Sequence, residues 1–181
     1  MSDTSYFFGY GANRSSDRLR QILGKEPQAG FGAIAEGFDL AIQTLDQIPK
    51  RAQDILRQAW GNEFKAYTLV PGKGMVTGVV WNLDEEDFKM LYAFEFIDLW
   101  SKFEVIKVKK FNGKLLEVIT TRVLDNAPIA EICDGINYPN NLNGTFVGQV
   151  KNTTIQKNED EYKVRQILKI KDELKHLSPQ K

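Results

Sequence analysis

Two short stretches carry residue types that could do chemistry together. The first is Tyr6–Asn13, YFFGYGAN, where three aromatic residues give way to Gly9-Tyr10-Gly11-Ala12-Asn13. Glycines let a ligand approach the backbone closely, and successive amide N–H groups can cradle an anion. If Asn13–Ser16 lead into a helix, its N-terminus adds positive partial charge. A purely structural glycine turn between a strand and a helix would read the same way. The second stretch is LYAFEF, in which Glu95 lies between Phe94 and Phe96. Phe88, Leu91, Tyr92 and Glu95 fall at i, i+3, i+4 and i+7, so the carboxylate continues an apolar helical stripe. Burial and the negative end of the helix dipole would both favour its protonated form, which suits general acid–base catalysis. A glutamate at a fraying helix end, or one paired with Lys102, is the plain structural alternative.

Other catalytic chemistries find little support. His176 is the single histidine and lies in a charged C-terminal segment, so neither a Ser-His nor a Cys-His nucleophile has its base. Cys133 is the single cysteine, which excludes an intrachain disulfide and reads as an inert small residue. No Cys or His spacing suits zinc, so no metal is expected. The stretch PGKG lacks the spacing of a phosphate loop and reads as a hairpin turn. Carboxylates, tyrosines and backbone amides remain.

The elements that must position these groups are readable from pattern. A strand is expected over Ser5–Gly11, then a helix capped by Ser15 or Ser16 and stopped by Gly24. FGAIAEGFDLAIQ reads as a strand interrupted by a bend or bulge. KRAQDILRQAW is a short amphipathic helix. FKAYTLVPG and MVTGVVWNL read as two strands joined by PGKG. Asp84 caps the helix that ends at Glu95, and Glu85, Glu86 and Asp87 suit its positive end. KFEVIKVKKF and KLLEVITTRVL flank Asn112-Gly113, a strong hairpin signal. Residues 126–158 are loop-like, and EDEYKVRQILKIKDELKHL reads as a terminal amphipathic helix.

The whole chain of 181 residues reads as one α+β domain. With Lys+Arg 24 and Asp+Glu 24, the formal net charge of +0 offers no basic field for nucleic acid or an anionic membrane. The N-terminus lacks the basic start and apolar core of a signal peptide, and no apolar run approaches about 18 residues. A cytoplasmic location is expected.

The two stretches together resemble the γ-glutamylcyclotransferase-like family. YFFGYGANRSSDRL is similar to that family's first strand and its Tyr-Gly-Ser-Asn loop, and KAYTLVPGKGMVTGVVWNLDEEDFKMLYAFE to its central block ending at a glutamate. The resemblance covers roughly residues 5–124, with residues 126–178 forming a C-terminal loop and helix. It implies a small mixed β-barrel with flanking helices and a cavity at one opening. It further implies an enzyme that releases 5-oxoproline from a γ-glutamyl amine, amino acid or peptide, with no cofactor. Tyr10, Gly11, Ala12 and Asn13 would hold the substrate's α-carboxylate, and Glu95 would be the general acid and base. Phe103 would stand near the family's active-site tyrosine and line the substrate site. Three departures accompany the match: Ala12 for serine, Phe96 for the glycine after the glutamate, and Phe103 for tyrosine. A non-catalytic carboxylate-binding module on the same fold is the alternative, and a protein–protein interaction domain a third reading. The expected partner is a small γ-glutamyl molecule, the expected state a monomer or homodimer.

Overall fold

Alternation along the first strand decides where two helices pack. In the computed structural model, which describes residues 4–140 and 142, β1 (Thr4–Gly9) sends Phe8 and Phe7 to opposite faces. Phe8 joins a core with Leu40, Leu69, Val76, Val80, Ile106, Val108 and Val118. Phe7 joins another core with Leu19, Ile22, Trp81 and Leu91. Both rings are fully buried, each worth about 1.5–3 kcal/mol of transfer free energy.

The helices and remaining strands follow the expected order closely. Ser15 accepts a hydrogen bond from the Arg18 N–H to start α1 (Ser16–Leu23), which Gly24 ends with a left-handed φ of 75°. Next come β2 (Phe31–Thr44), α2 (Lys50–Trp60), β3 (Lys65–Asp84), α3 (Glu85–Phe94), β4 (Ser101–Lys110) and β5 (Leu115–Val123). β4 and β5 form the hairpin across Asn112-Gly113, as expected. The short β6 (Glu131–Cys133) pairs with β2 inside the region read as loop. The sheet order is β3-β1-β5-β4-β2-β6, and β2 also pairs with β3. β1 and β5 run parallel and the other ladders are antiparallel, so the described residues form a mixed sheet of six strands with three α-helices. The segment expected to form a terminal helix, with His176, lies outside the described residues. No helix among the described residues is long and apolar enough to cross a membrane.

The hairpin expected at PGKG is not one. β3 is a single strand of 20 residues that pairs with β2 on both sides of that stretch. Its glycines serve close approach rather than reversal. A Cβ on Gly72 would lie 2.1 Å from Asp39 Oδ2, and one on Gly74 2.3 Å from Asp39 Oδ1. The irregularity falls where pairing passes from Glu36–Met75 to Phe38–Pro71, so that Gly37 alone, at φ 85°, faces Gly72, Lys73 and Gly74. The interruption expected in β2 does lie at Gly37, but the extra residues of the bulge belong to β3.

α3 begins with a reciprocal cap. The Asp87 N–H donates to Asp84 Oδ1 at 2.9 Å, and the Asp84 N–H donates to Asp87 Oδ2 at 3.0 Å. Lys25 Nζ reaches Asp84 Oδ2 at 3.1 Å. The Asp87 N–H first, and Lys25 second, hold the Asp84 carboxyl below the usual carboxylate range. A depressed folded-state pKa contributes stability that is present above the unfolded value, about 3.9, and lost as pH falls through the folded value. Asp84→Asn keeps a capping oxygen but not the titration. In thermal melts across pH 7 to 2.5, the wild-type advantage over this variant should hold at neutral pH and shrink below about pH 4. A gap that stays constant to the acid end would count against the capping charge.

Candidate active site

The loop after β1 is fixed by contacts from three distant segments. Gly9 has no room for a side chain, because a Cβ there would lie 2.3 Å from the Asn13 carbonyl oxygen. That same oxygen accepts a hydrogen bond from Trp81 Nε1 at 2.9 Å. Gly11, at φ 61°, opens a 3-10 turn over Gly11–Arg14, and a Cβ on it would meet the Tyr67 ring at 2.8 Å. The Gly11 N–H donates to Tyr138 Oη at 3.2 Å, and Tyr138 Oη donates to the Thr77 carbonyl at 2.6 Å. Arg14 donates to the Tyr138 carbonyl at 2.7 Å and lies 3.7 Å from the centroid of its ring. The Asn13 N–H is also used internally, toward the Tyr10 carbonyl at 3.2 Å.

Glu95 reaches this loop from the end of α3. Its N–H donates to the Leu91 carbonyl at 2.8 Å, closing the last helical turn. Phe96 follows at φ 51°, a left-handed conformation that commonly ends helices at glycine. Here a phenylalanine holds it, buried against Trp100 with ring centroids 6.0 Å apart. Glu95 is half-buried rather than sealed in the core. Asn13 Nδ2 donates to Glu95 Oε1 at 2.9 Å, linking loop and helix end across 82 positions of sequence.

Tyr10, Gly11, Ala12, Asn13 and Glu95 line one cavity of about 140 Å³, larger than a single water requires. Glu95 is the one carboxylate among the described lining residues; the cationic ones are Arg18, Lys65 and Arg122, the last paired with Glu104 and Asp125. Tyr10 Oη donates to the Thr121 carbonyl at 2.5 Å. Burial, and next the nearby Glu95 carboxylate, push the Tyr10 phenol well up, so it stays a neutral donor. Burial raises Tyr67 to about 12, and its hydroxyl donates to the Pro139 carbonyl at 3.0 Å. Cys133 lines no part of this cavity, and burial raises its thiol above the usual value.

Phe103 is elsewhere. Strand alternation puts it on the face of β4 opposite Ile106 and Val108, against α3. Its ring meets Phe88 edge-on at 5.9 Å and Tyr92 at 6.5 Å, and it does not line the cavity. Two groups lie outside the site residues read from the sequence, which offers Tyr138 and Trp100 only as aromatics without a register. Tyr138 buttresses the loop from a region that pattern leaves irregular. Trp60, Phe64 and Trp100 line the cavity alongside Leu56, although helical and strand spacing make them look like ordinary core. Among the described residues, no group of three or more His, Cys, Asp or Glu side chains is placed to hold a metal ion.

No family model matches the sequence, and no curated protein matches it significantly. Solved structures do. An uncharacterized protein from Homo sapiens superposes with a TM-score of 0.58 at 17% identity, covering 98% of this chain and 89% of that one. A gamma-glutamyl cyclotransferase gives 0.55 at 16% identity, covering 98% and 90%. A protein from Arabidopsis thaliana gives 0.52 at 15% identity, covering 98% and 95%. At such identities the likeness is one of fold, and the chain has the γ-glutamylcyclotransferase-like fold.

Proposed function

We propose that the protein is a γ-glutamyl cyclotransferase-type enzyme that releases 5-oxoproline from a γ-glutamyl amine, amino acid or peptide. The observation that carries this reading is the Asn13–Glu95 hydrogen bond, which joins the glycine loop to the cavity's single described carboxylate. Asn13 engages Oε1 and leaves Oε2 for proton transfer. The ring of strand pairings from β3 through β1, β5, β4 and β2 back to β3 supports reading the sheet as the small barrel of such enzymes.

In this reading the substrate's α-carboxylate meets the Ala12 N–H of the loop. Its α-amine attacks its own γ-carbonyl carbon and forms the ring C–N bond. Glu95 takes a proton from that nitrogen and returns it to the leaving nitrogen as the original amide C–N bond breaks. One proton moves twice, and neither water nor an oxidant is consumed. The enzyme's contribution is orientation of the amine and a positioned proton carrier. Asn13 is a positioning residue, holding Glu95 in one rotamer. The test is 5-oxoproline release from a panel of γ-glutamyl conjugates, wild type beside Glu95→Gln. Release that collapses in the variant supports the reading, and release that survives it removes Glu95 from the mechanism.

A further inference from the structure

We infer that the amine released by this enzyme carries a large apolar, preferably aromatic, group, held by Trp60, Phe64, Trp100 and Leu56. The inference rests on the cyclotransferase reading and specifies its substrate class. A γ-glutamyl group is polar at every functional position: an α-carboxylate, an α-amine and an amide. Those features are answered by the loop and Glu95. None of them calls for the aromatic wall that completes the same cavity.

The wall is built from three separate places in the chain. Leu56 and Trp60 are one turn apart on α2, so both face the same way. Phe64 lies in the connection to β3, with its ring centroid 6.4 Å from Trp60 and 6.5 Å from Trp100. Trp100 closes the row in the connection between α3 and β4. Its indole N–H is already spent, donating to Oε1 of the fully buried Gln43 at 2.8 Å. Gln43 Nε2 in turn donates to the Pro128 carbonyl at 2.8 Å. The buried amide therefore fixes the indole and removes its polar demand, leaving it to offer apolar surface. Leu56 and Trp100 are buried, while Trp60 and Phe64 are half-buried beside the cavity. An aromatic substituent on the leaving nitrogen would cover the surface these two residues leave open. Arg18 lies over Trp60, 5.0 Å from the ring, and stiffens that side of the wall.

The test uses the full chain and three conjugates: γ-glutamyl-phenylalanine, γ-glutamyl-phenethylamine and γ-glutamyl-alanine. By 5-oxoproline release, at least one aromatic conjugate should exceed γ-glutamyl-alanine in kcat/KM by about tenfold or more, as expected for an apolar pocket. The two aromatic conjugates separate an amino-acid leaving group from a simple amine. Trp60→Ala and Phe64→Leu should each erode that preference while turnover of γ-glutamyl-alanine persists, which also shows that the variants fold. Equal or better use of γ-glutamyl-alanine by wild type overturns the inference, as does a preference that both variants retain. If nothing is turned over, calorimetric binding of the same conjugates separates the two ideas. Tighter binding of the aromatic conjugates, lost in Trp60→Ala, sinks the catalytic reading and keeps the aromatic subsite. Equal binding sinks the subsite.

Discussion

Glu95→Gln should lower kcat for 5-oxoproline release by about 10²- to 10⁴-fold, the usual worth of a positioned general acid–base group. The substitution is nearly isosteric. A glutamine oxygen can still accept from Asn13 Nδ2, now 2.9 Å from Oε1, so the loop and the helix end keep their link. The side chain is half-buried, and the buried cation of the same cavity, Arg122, is paired with Glu104 and Asp125 instead. Thermal stability and substrate binding should therefore change little while turnover collapses. A parallel fall in melting temperature would show that the carboxylate serves the fold, and its catalytic assignment would then lose its basis.

Phe96→Gly should destabilise the protein, even though glycine is the residue that the Phe96 backbone favours. At φ 51° a non-glycine residue bears a cost of about 1–2 kcal/mol, which glycine would relieve. Against this stands the ring itself, 3% exposed and packed with Leu45, Ile48, Ala52, Leu56 and Trp100. Removing a buried phenylalanine typically costs about 3–5 kcal/mol. Packing wins, and the net loss is about 1–4 kcal/mol, or about 2–16 °C in Tm for a chain of this size. Phe96→Ala removes the ring and keeps the strain, so it should melt lower than Phe96→Gly by a few degrees. If Phe96→Gly melts higher than wild type, the strained turn outweighs its packing. The residue that resembled a departure at the pocket is thus a core residue behind Glu95, trading backbone ease for buried area.

What could be read from the sequence was what local physics decides. Ser15, Gly24, Asp84 and the Asn112-Gly113 turn announce element ends because caps and tight turns act within a few residues. Glu95 was visible because helical spacing places it beside Phe88, Leu91 and Tyr92. The errors have equally physical causes. Glycines at 72 and 74 look like a turn, yet they make room for the Asp39 carboxylate, a contact from another strand that no local pattern carries. Phe103 sits near the family's tyrosine in sequence, but alternation along β4 turns it toward α3. The aromatic wall could not be foreseen, since Trp60, Phe64 and Trp100 become neighbours only when α2 and the α3–β4 connection meet.

The hydrogen bonds that define the cavity span unusually long stretches of chain. Tyr10 reaches Thr121 across 111 positions, Gly11 reaches Tyr138 across 127, and Asn13 reaches Glu95 across 82. Closing long loops is entropically costly, and non-local pairing slows folding. Helices and the β4–β5 hairpin can form from near neighbours, whereas the site needs both ends of the described chain in place at once. During refolding, far-UV signal should therefore return before activity does. A nascent or truncated chain ending before β5 would hold Tyr10, Asn13 and Glu95 and still have no Thr121 to receive the phenol, so chemical competence is acquired late and all together.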